Sequence, residues 1–408
     1  MNPPRSSIVV TFDRLGSGYL GPYGNTWIET PNFNQLASES CLFEFATAQS
    51  PCLEATYGAL WSGRHVLAAG ETAIEHALPA LLTSSGVTTS LITDEPALLA
   101  HRLAAGFSET IPLAPETLRR LADDESRTQM ARLFATALDY LETDAGPRLL
   151  WIHCRGMQGG WDAPYALRNQ FADEEDPNPP TFLDPPSELL PAGYDPDDLL
   201  GAMHAYAGQV VLADMCLGAL LDAVRQSGGD SPLLVVAGTR GFALGEHGAV
   251  GQAGDALLGE VLQTPLLVRM PDGVGATRRS TALVQSPDLF TTLLDWHAAG
   301  AAPDDGVFGE SLLPVVRGEA QFERNVVCSA YRQERSIRTP AWFLRRADQQ
   351  VQLYVKPDDR WEYNEVSDRC GDVVAALLER LEACERELVE QGRISLQHLQ
   401  DVLLHGYE

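Results

Sequence analysis

Ile8-Val9-Val10-Thr11-Phe12-Asp13-Arg14-Leu15-Gly16 sets a short strand-forming run directly against a charged loop. Ile, Val and Phe suit the pleated, buried surface of a strand, and an unbroken apolar run marks a strand covered on both faces. A second run of this kind, Leu233-Leu234-Val235-Val236-Ala237, leads into Gly238-Thr239-Arg240-Gly241. In open α/β sheets the loops at the carboxyl ends of the strands gather on one side, so the loops after Phe12 and after Ala237 are expected to meet. Each would bring an arginine to that meeting, Arg14 and Arg240.

Outward from these runs, short apolar segments alternate with helical patterns. Ser90–Thr93, Arg148–His153 and Pro232–Ala237 read as strands; Asn32–Ser40, a long stretch from about Gly201 to Gln226 and a stretch around Asp288–His297 read as helices. In the long stretch Val210, Ala213, Leu217, Leu220, Leu221 and Val224 fall at helical spacing, and Gly228-Gly229 would stop it. The alternation predicts an α/β fold with a mostly parallel central sheet flanked by helices. From Asp173 to Asp198 Asp, Glu and Pro dominate without periodicity, which predicts a long surface loop, either a rim over the site or plain linker. After a composition change near Gly318–Arg324, Val326–Cys328, Ser336–Arg338, Trp342–Arg345 and Val351–Val355 read as consecutive short strands, then a helix from about Asp372 to Gln391. The expected division is an α/β domain over residues 1–320 and a small antiparallel sheet plus helix over residues 321–408.

A chain of 408 residues, 45% hydrophobic and 21% charged, can bury a large core. Its formal net charge of −27 opposes nucleic acid and anionic membranes, whose phosphates need positive surface potential. Arginine carries almost all the basic charge, with Lys356 the only lysine. Met1–Ser7 leaves no room for a signal h-region, and no stretch approaches bilayer-spanning length, so a cytoplasmic location is expected. Seven scattered cysteines without Cys-x-x-Cys spacing predict buried, reduced thiols.

A third segment, Ser50-Pro51-Cys52-Leu53-Glu54-Ala55-Thr56-Tyr57-Gly58-Ala59-Leu60-Trp61-Ser62-Gly63-Arg64, resembles the nucleophile segment of type I sulfatases. Other segments match that family in order. Ile8–Gly16 resembles the strand leading to its paired Asp-Asp-Leu-Gly, and Gly21-Pro22-Tyr23-Gly24 with Thr30–Ala37 its next signature. Gly238–Gly241 with Leu244-Gly245-Glu246-His247-Gly248 stands where the family has Ser-Asp-His/Asn-Gly and Gly-Asp/Glu-His-Gly, and Asp288–Asp295 and Gly309–Pro314 follow. The resemblance spans nearly the whole chain and implies the alkaline-phosphatase-like α/β sandwich.

Carried over residue by residue, the resemblance also implies loss. The family's formylglycine-forming Cys or Ser falls on Leu53, its Pro on Ala55 and its Arg on Tyr57. Leucine is no nucleophile, and Cys52, one position earlier, is followed by Glu54 and Thr56 where the converting enzyme reads Pro and Arg. The family's calcium ligands fall on Asp13-Arg14 and Thr239-Arg240, leaving Asp13 as the one retained ligand position, so neither calcium nor formylglycine is expected. The family's active-site His falls near Gln158 and its sulfate-binding Lys on Gln252, while His153 reads as a core or hydrogen-bonded histidine.

No catalytic residue stands out. Thr56 reads first as a helix-start hydroxyl and only second as a nucleophile, since a neutral hydroxyl needs a base or metal; His247 reads first as a packed turn residue and second as an acid/base. Asp13, Arg14, Leu53, Tyr57, Gln158, Thr239, Arg240 and Gln252 mark the ancestral pocket. Two readings of it stay open. Arg14 and Arg240, facing Asp13 and a helix N-terminus near Leu53–Thr56, would give a net +1 and a receptor for a small anion. Alternatively the arginines turn to solvent or pair with acids, and the pocket has filled. The expected function is a non-catalytic pseudo-sulfatase retaining at most an anion-binding pocket, partnered by a second copy or an active sulfatase. The alternative is an active sulfuric or phosphoric ester hydrolase using Thr56, His247 and the arginines.

Overall fold

Val9, Val10 and Phe12 have no exposed surface because their strand lies deep inside an eight-stranded sheet. The computed structural model describes residues 5–115, 117–143, 146–226, 231–300, 306–395 and 399–407. In chain order the strands are β1 Ser7–Phe12, β2 Cys41–Thr47, β3 Thr88–Thr93, β4 Glu109–Pro112, β5 Arg148–Cys154, β6 Glu188–Leu189, β7 Leu233–Gly238, β8 Ala249–Val250, β9 Leu266–Arg269 and β10 Arg279–Gln285. The large sheet runs β10-β2-β9-β7-β1-β5-β3-β4, parallel throughout except for β9, which is antiparallel to both neighbours. Successive side chains leave opposite faces. Ile8, Val10 and Phe12 therefore pack with the Gln129–Leu141 and Pro196–Gln226 helices, and Val9 with the Leu53–Ser62 and Pro287–His297 helices.

The expected α/β architecture is what the chain forms, with differences that have physical causes. β2, β4, β9 and β10 carry no long apolar run. β4 contains a proline and β10 has an exposed, polar first half, and as edge strands both need less burial. The long helix begins at Pro196 rather than Gly201 and takes in the acidic end of the expected loop. Proline suits the first turn, and Asp197 and Asp198 favour the positive N-terminal end of the helix dipole. Gly228-Gly229 lie outside the described residues. By length and hydropathy this helix would span a bilayer, contrary to the expectation that no stretch would; 67% of its apolar window is buried in the fold, which accounts for its composition. The Asp173–Asp198 segment is tied down in part, since β6 pairs with β8, just beyond His247.

Beyond it come β11 Val327–Tyr331, β12 Glu334–Arg338, β13 Trp342–Ala347 and β14 Gln350–Val355, an antiparallel sheet in chain order, covered by the Gly371–Gln391 helix. Ala330 N donates to Gln49 O and Ser329 Oγ to Ala48 O, both at 2.9 Å, fastening this sheet beside the Leu53–Ser62 helix. All seven cysteines are free thiols.

Candidate functional site

The loops after β1 and β7 meet. Asp13 N donates to Cys154 O at 2.9 Å and Thr239 N to Phe12 O at 3.1 Å, so the carboxyl ends of β1, β5 and β7 form one floor. Asp13 O approaches Gly156 so closely that a Cβ there would lie 2.7 Å from it, and the positive φ of 51° at Gly156 likewise suits glycine. Arg14 adopts a left-handed φ of 63°, costly for a side chain of its size. Tyr206 Oη donates to its carbonyl at 2.8 Å, and three further partners, Gln158, Asp255 and the Gly241 carbonyl, fix its side chain.

Four charged groups interlock at this floor. Arg240 donates from Nε and Nη2 to the two oxygens of Asp13, each at 2.9 Å, and Thr239 Oγ1 donates to Asp13 Oδ1 at 2.7 Å. Arg14 donates from Nη1 and Nη2 to the two oxygens of Asp255, at 2.6 and 2.9 Å. Gln158 Oε1 bridges the pairs, accepting from Arg14 Nε at 2.8 Å and Arg240 Nη2 at 3.4 Å. Arg240 Nη1 also donates to Pro51 O, which couples the cluster to the segment before the Leu53–Ser62 helix. Burial pushes the Asp13 carboxyl up, but the charge and hydrogen bonds of Arg240 outweigh it and hold the group down at about 2. Burial lowers Arg240 and Asp13 raises it, with a net rise.

The count of +1 therefore omitted a member. Two guanidiniums face two carboxylates, Asp13 and Asp255, and their charges cancel. Arg14 and Arg240 are buried and paired rather than turned to solvent. Asp255 was missed because it follows a short 3-10 helix, Gly251–Gly254, with no periodicity to mark it. The one signal available was charge balance, since a buried arginine requires an acid. Beside Gln158 a cavity of about 390 Å³ is lined by Asp94, Arg155, Asp162 and Asp184, an excess of acid that disfavours an anion.

The other expected residues lie around this cluster with different partners. Tyr57 Oη is 2.6 Å from His153 Nδ1 and 2.7 Å from Thr11 Oγ1, all three residues being buried. Burial holds His153 at about 4, a neutral ring, in line with its reading as a hydrogen-bonded core residue. Leu53 opens its helix half-buried. Thr56 Oγ1 donates back to Cys52 O at 3.0 Å and Ser50 O at 3.3 Å, the helical back-bond of a threonine. His247 Nδ1 is 2.7 Å from Glu260 Oε1 and its Nε2 is 3.2 Å from Glu362 O; the bond to Glu260 raises it to about 9. Gln252 is exposed in the Gly251–Gly254 turn. Among the described residues no hydrogen bond joins Thr56 or His247 to Asp13, Arg14 or Arg240, and no three His, Cys, Asp or Glu side chains converge to hold a metal.

A family model described as Sulfatase matches residues 5–299. The N-acetylglucosamine-6-O-sulfatase of Bacteroides thetaiotaomicron is 30% identical over 130 residues, 32% of this chain and 23% of that protein. Arylsulfatase D of Homo sapiens is 33% identical over 102 residues, 24% of this chain and 17% of that protein. The matched stretches thus span less than a quarter of either relative's length. Among solved structures, the phosphonate monoester hydrolase of Agrobacterium radiobacter superposes with a TM-score of 0.76 at 17% identity, covering 93% of this chain and 94% of that one. BT4656, in complex with its substrate D-glucosamine-2-N,6-O-disulfate, superposes with a TM-score of 0.77 at 18% identity, covering 96% and 99%. At such identities what is shared is the fold.

Proposed function

The chain belongs to the sulfatase family of the alkaline phosphatase superfamily, and from that premise we propose that it is a non-catalytic member whose ancestral site has become a closed cluster of ion pairs. The observation that carries this reading is the bidentate grip of Arg240 on Asp13. The family resemblance implies a divalent cation, which wants several hard oxygen ligands. At the four corresponding positions stand one carboxylate, one hydroxyl and two guanidiniums, and both oxygens of that carboxylate already accept from Arg240. These donors do not fit a cation. Leu53 at the nucleophile position has no reactive atom, and the Thr56 hydroxyl is spent on backbone carbonyls. The names of the relatives suggest hydrolysis of sulfate or phosphonate esters, but every group that such chemistry would use here is replaced or already bonded. The protein then acts by binding, with its family frame retained as a scaffold.

The test is turnover of 4-nitrophenyl sulfate, 4-nitrophenyl phosphate and 4-nitrophenyl phenylphosphonate, with and without calcium, alongside metal analysis of the purified protein. Rates equal to buffer and substoichiometric metal are expected. Turnover that Asp13→Ala abolishes would overturn the proposal.

A further inference from the structure

Arg338, the last residue of β12, is 8% exposed, yet none of its guanidinium nitrogens makes a hydrogen bond or ion pair among the described residues, and its Nε is fully enclosed. Every other buried arginine, Arg14, Arg168, Arg240, Arg269, Arg324 and Arg380, donates to a carboxylate or carbonyl. A buried charge without a partner is costly, and folded proteins seldom keep one. Arg338 does stack on Phe45, its guanidinium carbon 4.5 Å from the ring centroid. Stacking uses the flat face of the group and leaves its in-plane N–H donors unspent.

Those donors belong to a residue lining a cavity of about 690 Å³ between the β2–β10 edge of the large sheet and the C-terminal sheet. Arg279, Lys356 and Arg360 line it too, and Glu44 is the only carboxylate among its lining residues. Glu44 is taken by Arg279 at 2.7 Å, and Lys356 by the buried Glu362 at 2.9 Å. Arg360 donates from Nη1 to Tyr23 O at 2.9 Å and has no carboxylate partner among the described residues. Glu362 also attracts Arg338 but makes no hydrogen bond to it, so its one carboxylate is shared between two cations, and neither Arg338 nor Arg360 has a bonded carboxylate in this cavity of a chain whose net charge is −27. Phe45, Pro340 and Leu404 supply apolar wall, and the volume falls within the range of small-molecule sites, roughly 300–1,000 Å³.

We propose that this cavity binds a small organic ester of sulfate or phosphate, its oxyanion received by the in-plane donors of Arg338 and by Arg360, and its organic body by the apolar wall. Planar guanidinium donors match two oxygens of such a group at once. The site is separate from the Asp13 cluster and does not depend on whether that cluster is catalytic.

Thermal unfolding and calorimetric titration test it, using glucose 6-sulfate, glucose 6-phosphate and glucose at matched ionic strength. A saturable rise in Tm with one or both esters and none with glucose is expected, because a ligand of the folded state alone raises its midpoint. The stronger ester identifies which oxyanion is the natural one. Arg338→Met should weaken binding by at least about tenfold, the loss of a charge-assisted bidentate contact, and without ligand should be no less stable than the wild type, since it removes an unpaired buried charge. Arg360→Gln should weaken binding less. Absence of saturable binding of either ester, or equal binding by Arg338→Met, would overturn the assignment. The second comparison also separates binding from the general stabilising effect of sulfate and phosphate salts.

Discussion

Arg240 Nε and Nη2 each lie 2.9 Å from one oxygen of Asp13, and both side chains are buried. Removing one partner of such a pair strands the other charge, at a cost of about 3–5 kcal/mol, whereas replacing both by apolar groups of similar volume is often neutral or better. Arg240→Met and Asp13→Leu should therefore each lower the urea midpoint strongly, and the double variant should return toward the wild type. Additive losses in the double variant would show that the two residues act through separate contacts.

Asp255 plays the same part for Arg14. Arg14 is fully buried and Asp255 slightly exposed, with 12% of its side chain accessible, so Asp255→Asn should cost toward the lower end of that range, about 3 kcal/mol. The variant would open the anion receptor that the native cluster closes. In an Arg338→Met background, inorganic sulfate should recover part of the lost stability in Asp255→Asn beyond the general stabilising effect of the salt, which is all it should give when Asp255 is present. An equal response in both would mean that Arg14 stays satisfied without its acid.

How much of this was legible in the sequence depended on whether burial left a pattern. β1 and β7 were readable because strands covered on both faces carry unbroken apolar runs. β10, half exposed along an edge, had no such run to show. Arg14 and Arg240 were assigned to one place because each follows a strand at its carboxyl end, and parallel strands bring those ends together. Asp255 and Arg338 were not. One lies in an aperiodic turn and the other ends a short strand, and in both cases the informative fact is which charge faces which, something fixed only when distant segments pack. Gln158 shows the same limit: family resemblance places it in the pocket, but its bridging of two arginines arises only when the loops after β1, β5 and β7 pack together.

The helix that opens at Leu53 is tightly packed at its far end. Gly63 ends the Leu53–Ser62 helix at a left-handed φ of 69°, and a Cβ there would run into the ring of Phe290 on the Pro287–His297 helix. Gly63→Ala should lose about 1–2 kcal/mol to backbone conformation and about 1–3 kcal/mol more to the overlap. The check is the variant's urea midpoint alone and combined with Phe290→Leu. Partial recovery in the combination would assign the second term to the ring, and no recovery would assign the whole loss to the backbone.

His247 offers a test by pH. Its bond to Glu260 raises it from the ordinary 6.5 to about 9, and Glu362 O accepts from its other face. A base whose folded value is raised holds its proton more tightly in the fold, so its contribution is fully present below pH 6.5 and is lost as pH rises through about 9. His247→Gln can keep a neutral hydrogen bond but not the charge. The wild type should thus exceed the variant in Tm at pH 6, with the difference shrinking steadily between pH 6.5 and 9. Subtracting the two profiles cancels the remaining titrating groups. A difference that stays constant across this window would show that His247 holds its place by shape and neutral hydrogen bonding alone, with no proton retained for Glu260.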